Sequence, residues 1–393
     1  MKHKIKKVEP VLITAPYASK DNMEVLLHLP HGYRTCGMVK ITLENGLSGV
    51  GEGYLAVFAP LVFREIVILS IPHIQGRYIE DYKQIINDLE VVTGYWSRQG
   101  AARHVISAID IALHDLLSQL TGLPLFKFLN PEASGKLELY ASGGDSRDSD
   151  VMAEEIEQVS ALGIRTFKIR ARKEQTDKAN WCISHATKKG IGIAVDMTQN
   201  LVVPGQTVDD VLFFTDSLNS APVFIEEPLG PEKIDEYTTL RSQSRYKIAG
   251  GEIITHPNEM INYIKNGYYD IAQPDATVIG GISALKKIFD MSEQTDIYVH
   301  CWGGAVGMNA NYHAAAAYGG PLVEWPLPYF PIREALNIEP YKIIKGILYL
   351  QDAPGLGINL TDSIIKNFPF KPEAIYNCLT PSGNIILNNN STW

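Results

Sequence analysis

Three acidic residues, Asp196, Glu226 and Glu252, each close a short apolar run of this sequence. Carboxylates that converge on one cavity repel one another unless a cation sits between them. Hard oxygen ligands with positions left open for water and substrate suit Mg²⁺. Taken singly, each could instead cap a helix or pair with a surface base; the shared register of all three is what favours a metal. Asp275 and His300 close the next two runs, and Glu324 the one after. A carboxylate bonded to one imidazole nitrogen fixes the tautomer and raises the basicity of the other, making a general base. A lone histidine is more often structural, and there are ten; the pairing with Asp275 lifts His300 above His3, His28 or His185. Lys168 and Arg170 lie two apart on one run, so both should face the same side. Two buried cations need anionic company, which the metal carboxylates and an acidic substrate would supply.

Such groups need elements to hold them. Short apolar runs occupy 137–141, 165–169, 190–196, 221–226, 246–250, 268–273, 296–300 and 321–324, with helix-like stretches beginning near Asp148, Gln175, Thr207, Pro231, His256, Gly281 and Gly307. From Lys168 to Glu324 the strand-end groups recur at intervals of 23 to 30 residues. Strands alternating with helices in this way predict a parallel α/β barrel with its chemistry at the carboxyl ends of the strands. An open doubly wound sheet is the alternative, but it calls for a Gly-rich phosphate turn that 139–144 does not supply. Ahead of the barrel, 5–15, 23–29 and 39–43 read as strands, with Glu44-Asn45-Gly46-Leu47 as a hairpin turn. Helical patterns follow at 62–70, 81–92 and 100–120. The last is rich in small and apolar residues and should be buried on two sides, and Thr121-Gly122-Leu123-Pro124 stops it.

Composition sets the outer limits. With 393 residues, 45% of them hydrophobic, the chain has room for two or three domains, or for one large barrel with an attachment. Lys and Arg number 35 against 44 Asp and Glu, a net charge of −9, which argues against nucleic acid or an anionic membrane as the main partner. No run approaches the roughly 20 apolar residues of a membrane span, and 8–15 is too short for a signal-peptide core. The four cysteines are scattered without ligand spacing, as expected of reduced thiols in a cytoplasmic protein.

The motifs themselves resemble the mandelate racemase subgroup of the enolase superfamily. The similar stretches are Phe167-Lys168-Ile169-Arg170, Val195-Asp196, Ile225-Glu226-Glu227-Pro228, Gly250-Gly251-Glu252, Gln273-Pro274-Asp275 with Gly280-Gly281, Val299-His300-Cys301-Trp302 and Glu324-Trp325-Pro326. Outside the barrel, 108–115 and 352–358 are similar too. The resemblance implies a modified TIM barrel, (β/α)₇β, of class α/β, over 136–345. An α+β capping domain over 1–130 is completed by 350–393. It implies Mg²⁺ on Asp196, Glu226 and Glu252, abstraction of the proton α to a carboxylate, and commonly a homo-oligomer. Lys168 would pair with the substrate carboxylate, and Glu324, if protonated, would donate a hydrogen bond to the developing charge. Glu227 should point away from its neighbour Glu226 and is not expected to be a ligand.

Two departures shape the expected reaction. Relatives with a base on both faces carry Lys-x-Lys where this chain has Lys168 and Arg170, and arginine stays protonated, a poor base and a better anion clamp. Thr198 stands where many relatives have asparagine. With His300 as the one strong base, the resemblance implies an acid-sugar dehydratase, a lyase acting on an aldonate or aldarate. His300 would remove the C2 proton and the C3 hydroxyl would leave as water, giving a 2-keto-3-deoxy acid. A sugar-lactone cycloisomerase is the next reading, supported by 299–304 and 330–333, followed by a racemase or epimerase of a 2-hydroxy acid. A binding scaffold without catalysis and a metal-dependent aldolase are the readings from other classes. Substrate contacts are expected from Thr198, from Tyr17, Lys20, Tyr54 and Phe58 of the cap, and from Cys301 and Trp302 at the rim; packing would explain the cap and rim residues equally well.

Overall fold

A computed structural model describes residues 2–19, 22–202, 204–292 and 294–377. Near the start, β1 (Ile5–Pro16), β2 (Tyr33–Leu43) and β3 (Ser48–Gly53) form an antiparallel sheet in that order. The turn at 44–47 joins β2 to β3, with Thr42 opposite Ser48. The run at 23–29 is not a strand but the helix Met23–His28. Asn22 decides this, because its side chain accepts from the Glu24 and Val25 amides and caps a first turn. Two further helices, Pro60–Ser70 and Tyr82–Thr93, lead to the long helix Ala101–Thr121, which is buried along most of its length. Gly49, Gly51 and Gly53 share one face of β3 and lie against the backbone of that helix, so closely that a Cβ at Gly51 would collide with the Ala108 carbonyl.

The barrel strands are β4 (Lys136–Ser142), β5 (Thr166–Arg170), β6 (Gly192–Asp196), β7 (Ile225–Glu226), β8 (Ile248–Gly250), β9 (Ile271–Ala272), β10 (Asp296–Ile297) and β11 (Val323–Pro326). They pair in parallel from β4 through β10, and β11 pairs in parallel with the other edge of β4. The connecting helices start where polar caps allow: Asp148 accepts from the Asp150 and Val151 amides, and Thr207 with Asp210 makes a capping box. The fold is the expected (β/α)₇β barrel with its cap. Several apolar runs end as strands earlier than the sequence pattern suggests. Glu252, Asp275 and His300 therefore lie in the loops just past β8, β9 and β10.

A hairpin of β12 (Lys342–Ile344) and β13 (Ile347–Tyr349) adds antiparallel to β4, so the expected boundary at 345 falls inside it. Beyond it the chain returns to the first elements. Thr14 N–H donates to Phe368, Lys371 N–H to Thr14 Oγ1, and Tyr376 N–H to Val57. Asp115 ties three segments together, accepting from the Val50 amide at 2.9 Å and the Leu356 amide at 2.9 Å. Among the described residues no helix is long and apolar enough to cross a membrane.

Candidate active site

One cavity of about 260 Å³ opens at the carboxyl ends of the barrel strands. Lys168, Arg170, Asp196, Thr198, Glu252, His300, Trp302 and Glu324 all line it, with Tyr54 and Phe58 from the cap. Strand register explains the convergence: Arg170 on β5 is the cross-strand partner of Asp196 on β6, which lies in turn beside Glu226 on β7.

Glu226 is buried and outside the cavity lining, within reach of it through Lys168. Lys168 Nζ donates to its Oε1, and Gln273 Nε2 donates to its Oε2 at 2.5 Å. The same Lys168 ammonium sits 2.8 Å from Glu324 Oε1. Burial pushes the Glu226 carboxyl up to about 8. Repulsion from Asp196, Glu324 and Glu252 adds to this, against the pull of Lys168. Burial disfavours the Lys168 cation, but Glu226 and Glu324 outweigh it and hold the ammonium charged. Glu324 departs from the expected protonated donor. Burial would raise it, yet Lys168 and His300 hold it down at about 2, and it accepts the Cys301 amide at 2.7 Å. An ionised carboxylate has no proton to donate.

His300 Nδ1 is 2.9 Å from Asp275 Oδ2. Asp275 Oδ1 already accepts from the Thr277 amide and hydroxyl and from Asn311, so the carboxylate is fixed and the proton of this pair belongs on Nδ1. The second ring nitrogen, Nε2, faces the cavity, 3.4 Å from Glu252 and 3.9 Å from Glu324. Burial lowers the imidazole's affinity for a proton; Glu252, Asp275 and Glu324 reverse that and raise it to about 10.

Among the described residues no three acidic, histidine or thiol groups stand ready in a metal-holding cluster. Glu226 is engaged by Lys168 and Gln273, and Glu252 by Asn200 at 2.7 Å and by His300. The donor set nevertheless fits a hard divalent cation. All three groups offer oxygen, and each oxygen keeps a second lone pair for a cation.

Tyr17 does not line the cavity. It is 1% exposed and donates its hydroxyl to Glu24 at 2.9 Å. Cys301 contributes its amide rather than its thiol, and Lys20 lies outside the described residues. Glu227 faces away as expected, accepting the Gly251 amide. Thr198 adopts φ +50°, a left-handed conformation rare for a β-branched residue. It is held there by its own amide on Asp196 and by Arg172 on its hydroxyl. Sequence reasoning passed over Glu24, Asp145, Arg172, Asn200 and Gln273. Only Gln273 carried a signal, sharing strand parity with Asp275; Tyr376 and His28, which stack in the cavity roof, had none.

Comparison with known proteins gives a consistent picture. Residues 31–130 match the mandelate racemase / muconate lactonizing enzyme N-terminal domain, and 151–364 the enolase C-terminal domain-like family. A D-gluconate dehydratase of Thermoproteus tenax is 26% identical over 322 residues, 77% of this chain and 62% of that protein, so the match spans less than two thirds of the relative's length. A D-galactarolactone cycloisomerase of Agrobacterium fabrum is 26% identical over 289 residues, 69% of this chain and 75% of its own. The L-talarate/galactarate dehydratase of Salmonella typhimurium LT2, solved with Mg and L-lyxarohydroxamate, superposes with a TM-score of 0.80 at 22% identity, covering 94% of this chain and 93% of its own.

Proposed function

The chain belongs to the mandelate racemase / muconate lactonizing enzyme family of the enolase superfamily, and from that premise we propose that it is an Mg²⁺-dependent acid-sugar dehydratase. The observation that carries the reading is the Asp275–His300 pair, whose Nε2 faces the same cavity as Asp196, Glu252, Glu324 and a charged lysine. Mg²⁺ held by Asp196, Glu226 and Glu252 would supply positive charge beside the substrate carboxylate and so acidify the C2 proton. His300 Nε2, which faces the cavity, would take that proton when Glu252 is engaged by the cation. Asp275 keeps the imidazole in the productive tautomer and stabilises its cation. Lys168 stabilises charge that develops on the carboxylate oxygens. The imidazolium then returns its proton to the C3 hydroxyl, the C3–O bond breaks, water leaves, and the enol product tautomerises to a 2-keto-3-deoxy acid. Arg170 serves as a fixed cation, because a guanidinium is too weak a base for the opposite face. Thr198, Tyr54 and Trp302 are the proposed substrate contacts.

A cycloisomerase shares every step up to the leaving group, which would be a ring oxygen; the Agrobacterium relative supports it as second reading. We further propose a cytoplasmic homo-oligomer, with the fully exposed Tyr95 and the exposed Trp96 among its contact residues; a monomeric mass at micromolar concentration would rule this out. The cap is proposed to comprise 1–130 and 350–393 around a barrel that runs through Tyr349. The function is tested by incubating the Mg²⁺-loaded protein with a panel of aldonates and aldarates in deuterated water. Dehydration with C2 exchange is expected for at least one acid, and its loss on chelation. No exchange with any acid, or turnover that survives exhaustive chelation, refutes the reading.

A further inference from the structure

The cap forms the roof of the cavity, and among the described lining residues Glu24 is the only carboxylate it contributes. This side chain is 4% exposed. It accepts the Tyr17 hydroxyl at 2.9 Å and the Trp302 indole N–H at 3.2 Å, with Arg34 at 3.7 Å and Arg170 at 4.0 Å. A carboxylate has about four acceptor positions, so two direct donors leave capacity for more. Arg34 is outside the cavity lining and donates to the Tyr54 hydroxyl at 2.7 Å, and the arginines that do line the cavity nearby are engaged. Arg170 lies between Asp145 at 3.3 Å, Asp196 at 3.8 Å and Glu24, and stacks over Trp302, while Arg172 donates to Thr198. Around the cavity, the carboxylates of Glu24, Asp145, Asp196, Glu252 and Glu324 face Lys168, Arg147, Arg170, Arg172 and His300, and none of these basic groups comes from the cap.

We propose that Glu24 is the specificity-determining residue of the cap, accepting a hydroxyl from the far end of a monocarboxylic acid sugar and repelling a second carboxylate there. The inference rests on the acid-sugar reading and deepens it by naming aldonates, not aldarates, as the substrate class. A site that held both ends by charge would need a lysine or arginine of the cap in the cavity lining, and among the described lining residues the cap places the Glu24 carboxylate there instead.

The test compares gluconate with glucarate and galactonate with galactarate on the Mg²⁺-loaded full chain, reading binding by calorimetry and C2 exchange in deuterated water. The wild type should bind each monoacid at least about tenfold more tightly than its diacid. Glu24→Gln should bring that ratio to about threefold or less, and Glu24→Asp should keep it. A further readout needs no variant: 6-amino-6-deoxygluconate, with a cationic far end, should bind the wild type more tightly than gluconate. Diacid preference in the wild type, a ratio unchanged in Glu24→Gln, or weaker binding of the amino acid sugar overturns the proposal. Selective binding without C2 exchange by any acid would sink the dehydratase reading and leave Glu24 its role; exchange without selectivity would do the reverse. No binding of any acid sinks both.

Discussion

At the scale of single residues, the proposed mechanism stands on one imidazole. His300→Asn should abolish C2 proton exchange as well as turnover, with a loss of roughly 10²–10⁴-fold typical of a missing general base. Arg170→Lys should not restore exchange to that variant, since Arg170 is held between Asp145 and Asp196 rather than aimed as a base. Exchange persisting in His300→Asn would mean a base on the opposite face and would return racemisation to the lead. Thr198 is a different kind of residue-scale problem. A β-branched side chain at φ +50° carries strain of about 1–3 kcal/mol, and asparagine tolerates that region far better. Thr198→Asn should therefore raise the unfolding free energy by up to about 1 kcal/mol in denaturant titration, part of the relief being offset by the lost bond to Arg172; a lower stability would mean that this bond outweighs the strain.

Between elements, the cap holds the catalytic loop by a carboxylate. Glu52 on β3 accepts the Gly304 amide at 2.7 Å and the Gly307 amide at 2.8 Å, at the start of the helix Ala305–Tyr318 and only a few residues past His300. A negative charge at a helix N-terminus is favourable, and removing it leaves two buried donors unpaired. Glu52→Ala should cost about 2–4 kcal/mol of stability, with Glu52→Gln in between because its amide N–H₂ cannot accept. A denaturant midpoint for Glu52→Ala equal to the wild type would show that the clamp contributes nothing. A Cβ at Gly303 would come within 3.0 Å of Glu52, and one at Gly304 within 2.9 Å of Cys36 Sγ and 3.0 Å of Glu52, so both cap residues would have to shift to admit a side chain. The Val299-His300-Cys301-Trp302 motif thus continues into glycines for a reason located in the cap.

For the whole molecule, acid sensitivity has an identifiable contributor far from the cavity. His313 is buried on the helix Ala305–Tyr318, where its Nδ1 accepts the Phe126 amide at 3.0 Å, and burial depresses its pKa to about 3. The unfolded value lies near 6.5, so the unfolded chain takes up this proton first as the pH falls. Its contribution is complete above about pH 6.5 and is lost on acidification, by about 2 kcal/mol at pH 5. His313→Asn keeps an acceptor without the titration, and unfolding free energies at pH 7 and pH 5 should differ less in the variant by that amount; equal pH dependence would refute the assignment. What the sequence alone determined was the periodic part of the molecule. Alternating strands and helices fix the order of the elements and the neighbourhood of each strand end, so the barrel and the candidates Lys168, Asp196, Glu226, Glu252, Asp275 and His300 were legible from spacing and residue type, although β8, β9 and β10 end before Glu252, Asp275 and His300. The tertiary structure decided what lies across the cavity from them. Asn22 turned an apolar run into a helix and so brought Glu24 over the barrel mouth, Tyr17 went behind it, and Lys168 and the Cys301 amide came to face Glu324. Those outcomes depend on which charges and caps meet through space, and no periodicity along the chain encodes the distance between residues 24, 170 and 302.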